Sequence, residues 1–463
     1  MLTFLVYADL WGFHMNLYKG CLYLLSCVLF LFCSISYANP IQFTIGQPLP
    51  PWQPGYLDIY HLDEGAGNST FMIFPDGTTL LFDIGDVRTA YLPPRSPLEY
   101  SRVHNLHQPA YVWVANFIKT VSPHPTVLNY VVLSHFHFDH FGQWAATEPT
   151  FKPGRYKLTG ITGLANEIHI QTLIDRSYPN YNFHGDIQGP LQQYLKTTTN
   201  QYAHLTALNM QNYQRFVNYQ IRVNHLHVER FDVGSHDQIH LLYKQYPTFL
   251  VQNIIGDGYV WTGKGQGTYH FILYAQNDQG DQKKENDLSN GFRIDYGNFR
   301  YFTGGDMTGR MLTGEDVPTS AEAVAAPVVG RVDVATMNHH GFNDAQSEVW
   351  VSTLRPQVWI QQNWAASQTS LPMLLRTTDL HLYNYPRDLF AVAYFKLNDL
   401  ALPALGGPTQ YNAIEHYYKA TGGSILVRVA PGGKKFWIVM LSKNSGQPPV
   451  VKSVFGPYLS LPK

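Results

Sequence analysis

The chain has 463 residues, 45% of them apolar, with aromatic and charged residues at 14% each and a formal net charge of −1. So apolar and aromatic a composition excludes a disordered chain and supplies a substantial core. The balanced charge gives no global basic field of the kind that tracks nucleic acid.

Near the N-terminus Met15 and Lys19 precede the apolar run CLYLLSCVLFLFCSI, and small residues follow at Ser36 and Ala38. This order predicts a secretory signal peptide over 1–38, with its start at Met1 or Met15, and hence a secreted or periplasmic protein with no membrane span after cleavage. All three cysteines (Cys21, Cys27 and Cys33) fall inside that segment. The mature chain, 39–463, would then have no thiol, and any metal must be held by histidines and carboxylates.

Alternating runs predict strands at 56–62, 70–74 and 79–84, the last two joined by Asp76-Gly77. Residues 110–121 (AYVWVANFIKTV) have helical spacing, and 127–133 (VLNYVVL) reads as a buried strand. A polar stretch rich in Tyr, Asn and Gln, 177–235, reads as an insertion over the core with a helix around 191–219. Strand patterns resume at 238–243, 249–255, 270–275, 291–296, 300–303, 332–337 and 358–362, and end with 424–429 and 436–441. Strands and helices mixed in this way predict an α/β fold of two sheets with helices outside them.

The chemistry concentrates at 134–142, SHFHFDHFG. On a strand that is ending, residues two apart point the same way, so His135 and His137 can approach one metal together. Asp139 and His140 follow after the chain turns and can face a second. The chain has 20 histidines, and an isolated one would usually be a satisfied core or surface residue. A His-x-His-x-Asp-His run instead has ligand spacing. Nitrogen and oxygen donors without sulfur suit zinc best, one or two ions, with manganese or iron as alternatives.

This run resembles the metal motif of the metallo-β-lactamase superfamily, and three further stretches agree in order. LFDIG at 81–85 is similar to the superfamily's early Asp-x-Gly, FTGGDM at 302–307 to the strand end whose aspartate bridges two metals, and NHHG at 338–341 to its last-histidine motif. With NDLS at 286–289, the set resembles the branch that includes the soluble domain of the competence DNA-uptake channel and the phosphorylcholine esterases. The resemblance spans roughly 56–362 and is specific at the metal motifs.

It implies a four-layered αββα sandwich carrying the polar insertion, with Asp83 orienting the ligands and Asp306 and His340 completing the metal set. The remaining ligand of the first metal falls to Asp175, at the end of HIQTLID, with His169 and His184 as rivals. Phe342 stands where the branch usually has Ser. His339 is left free to protonate a leaving group, with Asp139 or Asp306 orienting the attacking hydroxide.

The expected function is therefore metal-dependent hydrolysis of a phosphodiester or related ester, the substrate being a small molecule or envelope-derived. The alternatives are a lactam or lactone hydrolase, or a cell-envelope binding protein with a degenerate site. Arg176, Arg293 and Arg310 are the candidate local cations, and Trp144, Trp364 and Tyr383 the candidate aromatic contacts. Nothing in the sequence fixes an oligomeric state.

Overall fold

The computed structural model describes residues 41–65, 67–87, 108–181, 186–187, 189–271, 285–395, 416–442 and 447–462. The expected signal peptide and His184 lie outside them. Residues 44–463 form one compact unit.

Among the described residues, twenty strands follow in chain order. The first eight are β1 (Leu57–His61), β2 (Thr70–Ile73), β3 (Thr79–Phe82), β4 (Val127–Val132), β5 (Thr150–Phe151), β6 (Tyr156–Lys157), β7 (His169–Asp175) and β8 (His227–Arg230). Next come β9 (Phe249–Gly256), β10 (Tyr259–Trp261), β11 (Thr268–His270), β12 (Gly291–Tyr296), β13 (Phe299–Thr303) and β14 (Val334–Thr336). The last are β15 (Val358–Gln361), β16 (Asp388–Ala391), β17 (Tyr418–Thr421), β18 (Ile425–Val429), β19 (Lys435–Leu441) and β20 (Val451–Leu459).

They build two nine-stranded mixed sheets, in the orders β20-β19-β18-β1-β2-β3-β4-β7-β8 and β11-β10-β9-β12-β13-β14-β15-β16-β17, with β5-β6 as a separate ribbon. One apolar core lies between the sheets. It takes Leu57, Ile59, Met72, Phe82 and Val132 from the first and Val251, Phe292, Ile294, Val334 and Ile360 from the second. Side chains alternate across each strand, so Tyr60, next to Ile59, turns outward to meet Phe117 of the helix Ala110–Val121 at 5.5 Å. The outer face of the second sheet (Phe302, Ala335, Trp359) is covered by Ala321, Ala325, Trp350 and Met373. These come from the helices Ala321–Val329, Glu348–Leu354 and Leu371–Thr378.

The helix over 110–121 has the bounds its spacing gives, and the strands at 291–296 and 249–255 agree within a residue. The stretch 238–243 is not a strand. Its N–H groups go to side chains rather than to a ladder: Gln238 N donates to Ser235 Oγ at 3.1 Å, Leu242 N to Thr78 Oγ1 at 2.9 Å and Tyr243 N to Asp76 Oδ2 at 2.8 Å. Within the polar stretch 177–235, residues 191–197 and 201–224 are helical, but 227–230 is β8, paired parallel with β7 at the edge of the first sheet.

What positions the site is the parallel half of each sheet. Strands β3, β4, β7 and β8 run parallel, as do β13 to β17. The loops leaving the carboxyl ends of β4, β13, β14 and β15 then converge, the usual place for a ligand site in α/β sheets.

Candidate metal centre

β4 ends at Val132, and the chain continues through Leu133 and Ser134 into His135 before a single helical turn, Phe138–Phe141. Ser134 is pinned by Asp83, which stands in a left-handed conformation (φ 61°) after β3. Asp83 Oδ1 accepts from Ser134 N at 2.6 Å, and Oδ2 accepts from Ser134 Oγ at 2.7 Å and from His140 Nδ1 at 2.8 Å. With Nδ1 as the donor, His140 presents a bare Nε2 to the interior.

His340 is prepared in the same way: its Nδ1 donates to the Gln362 carbonyl at 2.8 Å, just past β15. The two bare nitrogens, His140 Nε2 and His340 Nε2, face each other at 3.2 Å. Asp139 Oδ2 lies 3.0 Å and Asp306 Oδ1 3.5 Å from His340 Nε2, and Asp306 Oδ1 is 3.1 Å from His140 Nε2. Asp139, His140, Asp306 and His340 thus form one group able to hold a metal ion, and His135, His137 and Asp306 form a second, with Asp306 common to both.

Two observations test the fit. Two imidazole nitrogens bound tetrahedrally at zinc distances stand about 3.3 Å apart, which the His140–His340 spacing of 3.2 Å matches. His135 Nε2 is wholly buried and has no hydrogen-bond partner among the described residues, although its Nδ1 is held by Ser134 Oγ at 2.9 Å. A buried nitrogen without a partner is costly, and here it faces Asp306 Oδ2 at 3.8 Å. The residues present fit one or two ions of the nitrogen- and oxygen-liganded type.

The electrostatics agree. Burial pushes His340 down, but the Asp306 and Asp139 carboxylates outweigh it and hold the ring up at about 10. His140 is raised well above its ordinary range against the same burial, by Asp306, Asp139 and Asp83. Burial would raise Asp139 and Asp306, yet the neighbouring histidines, His140 foremost, keep both carboxyls below the usual carboxylate range. His135 goes the other way, lowered by burial and by the charge on His140 and His137. The cluster strongly favours positive charge.

Glycine makes the close approach possible at two points. A Cβ on Gly305 would stand 2.6 Å from Ser134 Cβ, so only glycine lets the Asp306 loop lie on the metal run. Gly341, at φ 83°, follows His339 and His340, which both have positive φ (47° and 54°), and a Cβ there would meet Gln361 Nε2 at 2.5 Å. Two successive non-glycine residues in that region are strained, as functional loops often are.

His339 stays outside both groups. Its Nδ1 lies 2.6 Å from Asp344 Oδ1 and its Nε2 3.2 Å from the Asn286 amide. Burial lowers its affinity for a proton, but Asp306 and Asp344 more than restore it, and the ring ends above its ordinary value. It lines a cleft of about 210 Å³ with Asp139, His340, Phe342 and Trp364. The Trp364 indole N–H donates to Asp139 Oδ2 at 3.0 Å, fixing that carboxylate at the cleft floor.

Asp175 is not brought to the metal positions. It ends β7, but its carboxylate accepts four hydrogen bonds, from Ser177 N, Tyr178 N, Tyr181 Oη and Tyr213 Oη, at 2.7–2.9 Å. They tie the turn after β7 to the helix Gln201–Asn224 and leave no lone pair for an ion. His169 begins β7 opposite Val127, at the other end of β4 from His135.

The group that reaches His137 is one that pattern reasoning passes over: Asp186 Oδ2, 3.0 Å from His137 Nε2. Burial lowers His137, and the Asp186 hydrogen bond and charge reverse the shift. Asp186 also shows the cost of burial outweighed by His137, ending below its ordinary value.

Of the other candidates, Arg176, Arg293 and Arg310 are all ion-paired, with Glu285 and Asp257, with Asp295 and with Asp316. Tyr383 belongs to the core, and Trp144 is half-buried behind the metal run, where its backbone N–H donates to Asn209 Oδ1. No family model matches the chain, and no curated protein matches it.

Proposed function

We propose that the protein is a secreted, zinc-dependent hydrolase of the metallo-β-lactamase fold acting on a phosphodiester or a related ester. The observation that carries this reading is the pair of donor groups sharing Asp306, one built from Asp139, His140 and His340 and the other from His135 and His137. His-x-His-x-Asp-His, the early aspartate, the Gly-Gly-Asp strand end and His-His-Gly occur in the order of that superfamily, between two sheets with helices on their outer faces. Asp186 is the carboxylate on hand for the remaining place beside His137.

When bound, the metal supplies Lewis acidity and an activated water at neutral pH. The chain's residues do the rest. Asp83 and the Gln362 carbonyl fix the tautomers of His140 and His340, so both present Nε2 as a ligand atom. Trp364 holds Asp139 in place at the cleft floor, and Phe342 and Trp364 give the cleft apolar walls that exclude water. His339 is the proton donor. Asp344 secures Nδ1, and the Asn286 amide, which presents nitrogen or oxygen according to its rotation, can match either protonation state of Nε2. A protonated ring facing the cleft is suited to neutralise a departing alkoxide.

The test is metal analysis of the purified mature protein together with a chromogenic panel: bis-p-nitrophenyl phosphate, a carboxylic ester, a lactone and a cephalosporin. The reading expects one to two equivalents of tightly bound zinc and turnover of the phosphodiester. Less than one equivalent, not restored by added zinc, would overturn it; turnover of the lactone or cephalosporin alone would keep the hydrolase and replace the substrate class.

A further inference from the structure

A second cleft, of about 560 Å³, lies at the opposite end of the second sheet's parallel strands and shares no residue with the metal centre. Its wall includes Arg331, Arg355, Arg387, Tyr385 and Tyr458. The parallel register explains why the arginines gather. Val334, Val358 and Asp388 are partners across β14, β15 and β16. Arg331 and Arg355 each stand three residues before their strand's register residue, and Arg387 stands one before. The metal loops leave the carboxyl ends of these strands, so this cleft sits at their amino ends.

The side chains are held mainly by neutral groups. The Tyr385 hydroxyl accepts from Arg331 Nε at 3.1 Å and donates to the Arg355 carbonyl, so one phenol joins two of the arginine positions. Its ring also lies 5.3 Å from the Arg331 guanidinium. Arg355 Nε donates to the Ser352 carbonyl at 2.5 Å. Arg387 is stacked 3.4 Å over Tyr383 and donates to the carbonyls of Thr377, Asp379 and Tyr383.

Among the described residues none of the three arginines makes an ion pair, and the terminal nitrogens of Arg331 and Arg355 have no hydrogen-bond partner. The other polar wall groups satisfy one another. Tyr458 Oη donates to Asp388 Oδ2 at 2.6 Å, and Gln357 Nε2 donates to Asp333 Oδ1 at 2.8 Å and to the Leu459 carbonyl at 2.9 Å. Asp388 is the cleft's carboxylate, and its other oxygen is 3.7 Å from Lys419.

We infer that this cleft binds a small phosphate monoester, through the terminal guanidinium nitrogens of Arg331 and Arg355 and with its organic part between Tyr385 and Tyr458. Guanidinium forks match phosphate oxygens in geometry and charge, and arginines already fixed by neutral partners lose little freedom on binding. Three guanidiniums without ion pairs outnumber the Asp388 carboxylate in the wall and the Asp333 carboxylate behind Gln357, whose charge Arg331 offsets, and so select an anion; the aromatic walls select an organic ester over inorganic phosphate.

The experiment is calorimetric titration of the full-length mature protein with phenyl phosphate and with inorganic phosphate. Three variants are compared with the natural chain: Arg331→Gln/Arg355→Gln, Arg355→Gln alone, and His135→Ala, which weakens the competing metal centre. The inference expects phenyl phosphate to bind more tightly than inorganic phosphate, the double variant to weaken it by about tenfold or more, and His135→Ala to leave that binding in place. Unchanged affinity in the folded double variant overturns it, as does no binding to the natural chain, or loss confined to His135→Ala, which would place the anion at the metals. Arg355 is exposed, so if the double variant fails to fold, the single one must weaken phenyl phosphate binding or the inference fails.

Discussion

Replacing Asp83 by Asn tests the tautomer argument, because it removes a charge and changes almost no volume. Asp83 is fully buried and serves three donors: Ser134 N at 2.6 Å, Ser134 Oγ at 2.7 Å and His140 Nδ1 at 2.8 Å. An amide has one oxygen for these, and its NH₂ must face one side. If the oxygen stays on Ser134 N, the NH₂ meets His140 Nδ1, and relief comes only when that nitrogen gives up its proton. The proton then sits on Nε2, the atom needed as a ligand. If the oxygen faces His140, the NH₂ is driven against Ser134 N–H. Either outcome leaves a mismatched buried pair worth about 1–3 kcal/mol. Loss of such an orienting partner typically weakens metal binding about 10- to 100-fold, or about 1.4–2.8 kcal/mol. The assay is zinc titration against a chromogenic chelator, with thermal melts of the metal-free proteins alongside. Zinc affinity equal to that of the natural chain would refute the claim that Asp83 sets the His140 tautomer.

Four further outcomes follow from the same structure. Asp186→Ala should lose one metal equivalent while the fold is kept. Asp175→Ala should instead keep its metal content and lose about 2–4 kcal/mol in urea melts, because the buried Tyr181 and Tyr213 hydroxyls lose their acceptor; reversed results would return Asp175 to the ligand set. Arg428 forms a bidentate, fully buried pair with Asp58 across β1 and β18 (2.8 and 2.6 Å). Arg428→Met should cost about 3–5 kcal/mol, with much of that regained in Asp58→Leu/Arg428→Met, and equal losses in the two would show that the stranded charge is not the cause. His61 is buried and lowered by desolvation from 6.5 to about 4. The unfolded chain therefore takes up a proton that the native state does not between these values, so this contribution is complete above pH 6.5 and is lost as the pH falls, by about 2 kcal/mol at pH 5. His61→Gln should flatten the pH 5–7 dependence of urea stability by that amount; an unchanged slope would assign acid sensitivity to other groups.

The parts of the site that could be read in the sequence are those whose geometry is local. His135, His137, Asp139 and His140 lie on one strand end and one helical turn, so their spacing states their relation in space. Asp306 and His340 were legible only through the resemblance of FTGGDM and NHHG to known metal motifs, and the structure shows why a glycine stands beside each, Gly305 before the one and Gly341 after the other. Asp175 shows the limit. A carboxylate ending a strand looks the same whether it faces a metal or caps a turn, and the hydroxyl that decides the matter, from Tyr213, lies 38 residues on. Asp186 is harder still, a lone acid in a polar loop 49 residues from the histidine it meets. The alternation over 238–243 misled for a related reason, since strand identity depends on where backbone donors go, and here they go to side chains, those of Leu242 and Tyr243 to the Asp76–Thr78 turn.

The polar stretch after β7 illustrates how side-chain amides can add to apolar packing in positioning a site. The helix Gln201–Asn224 buries a stripe of Ala207, Met210, Tyr213, Phe216 and Val217. Two buried asparagines beside that stripe add paired amide contacts with the chain just beyond the metal run. Asn209 accepts from Trp144 N and donates to the Gly142 carbonyl, and Asn212 accepts from Lys157 N and donates to the Lys157 carbonyl. Tyr213 adds its hydroxyl to Asp175 and its ring to Phe136 and Phe141, at 5.6 and 5.7 Å. Gly142, Phe136 and Phe141 are all within or next to the His135–His140 turn. A helix that reads in the sequence as an insertion over the core is therefore bonded to the turn that carries the His135–His140 run. Because each amide satisfies one backbone donor and one acceptor, a slip of one residue along the helix would strand both, so the amides fix the register of the stripe that the apolar residues bury.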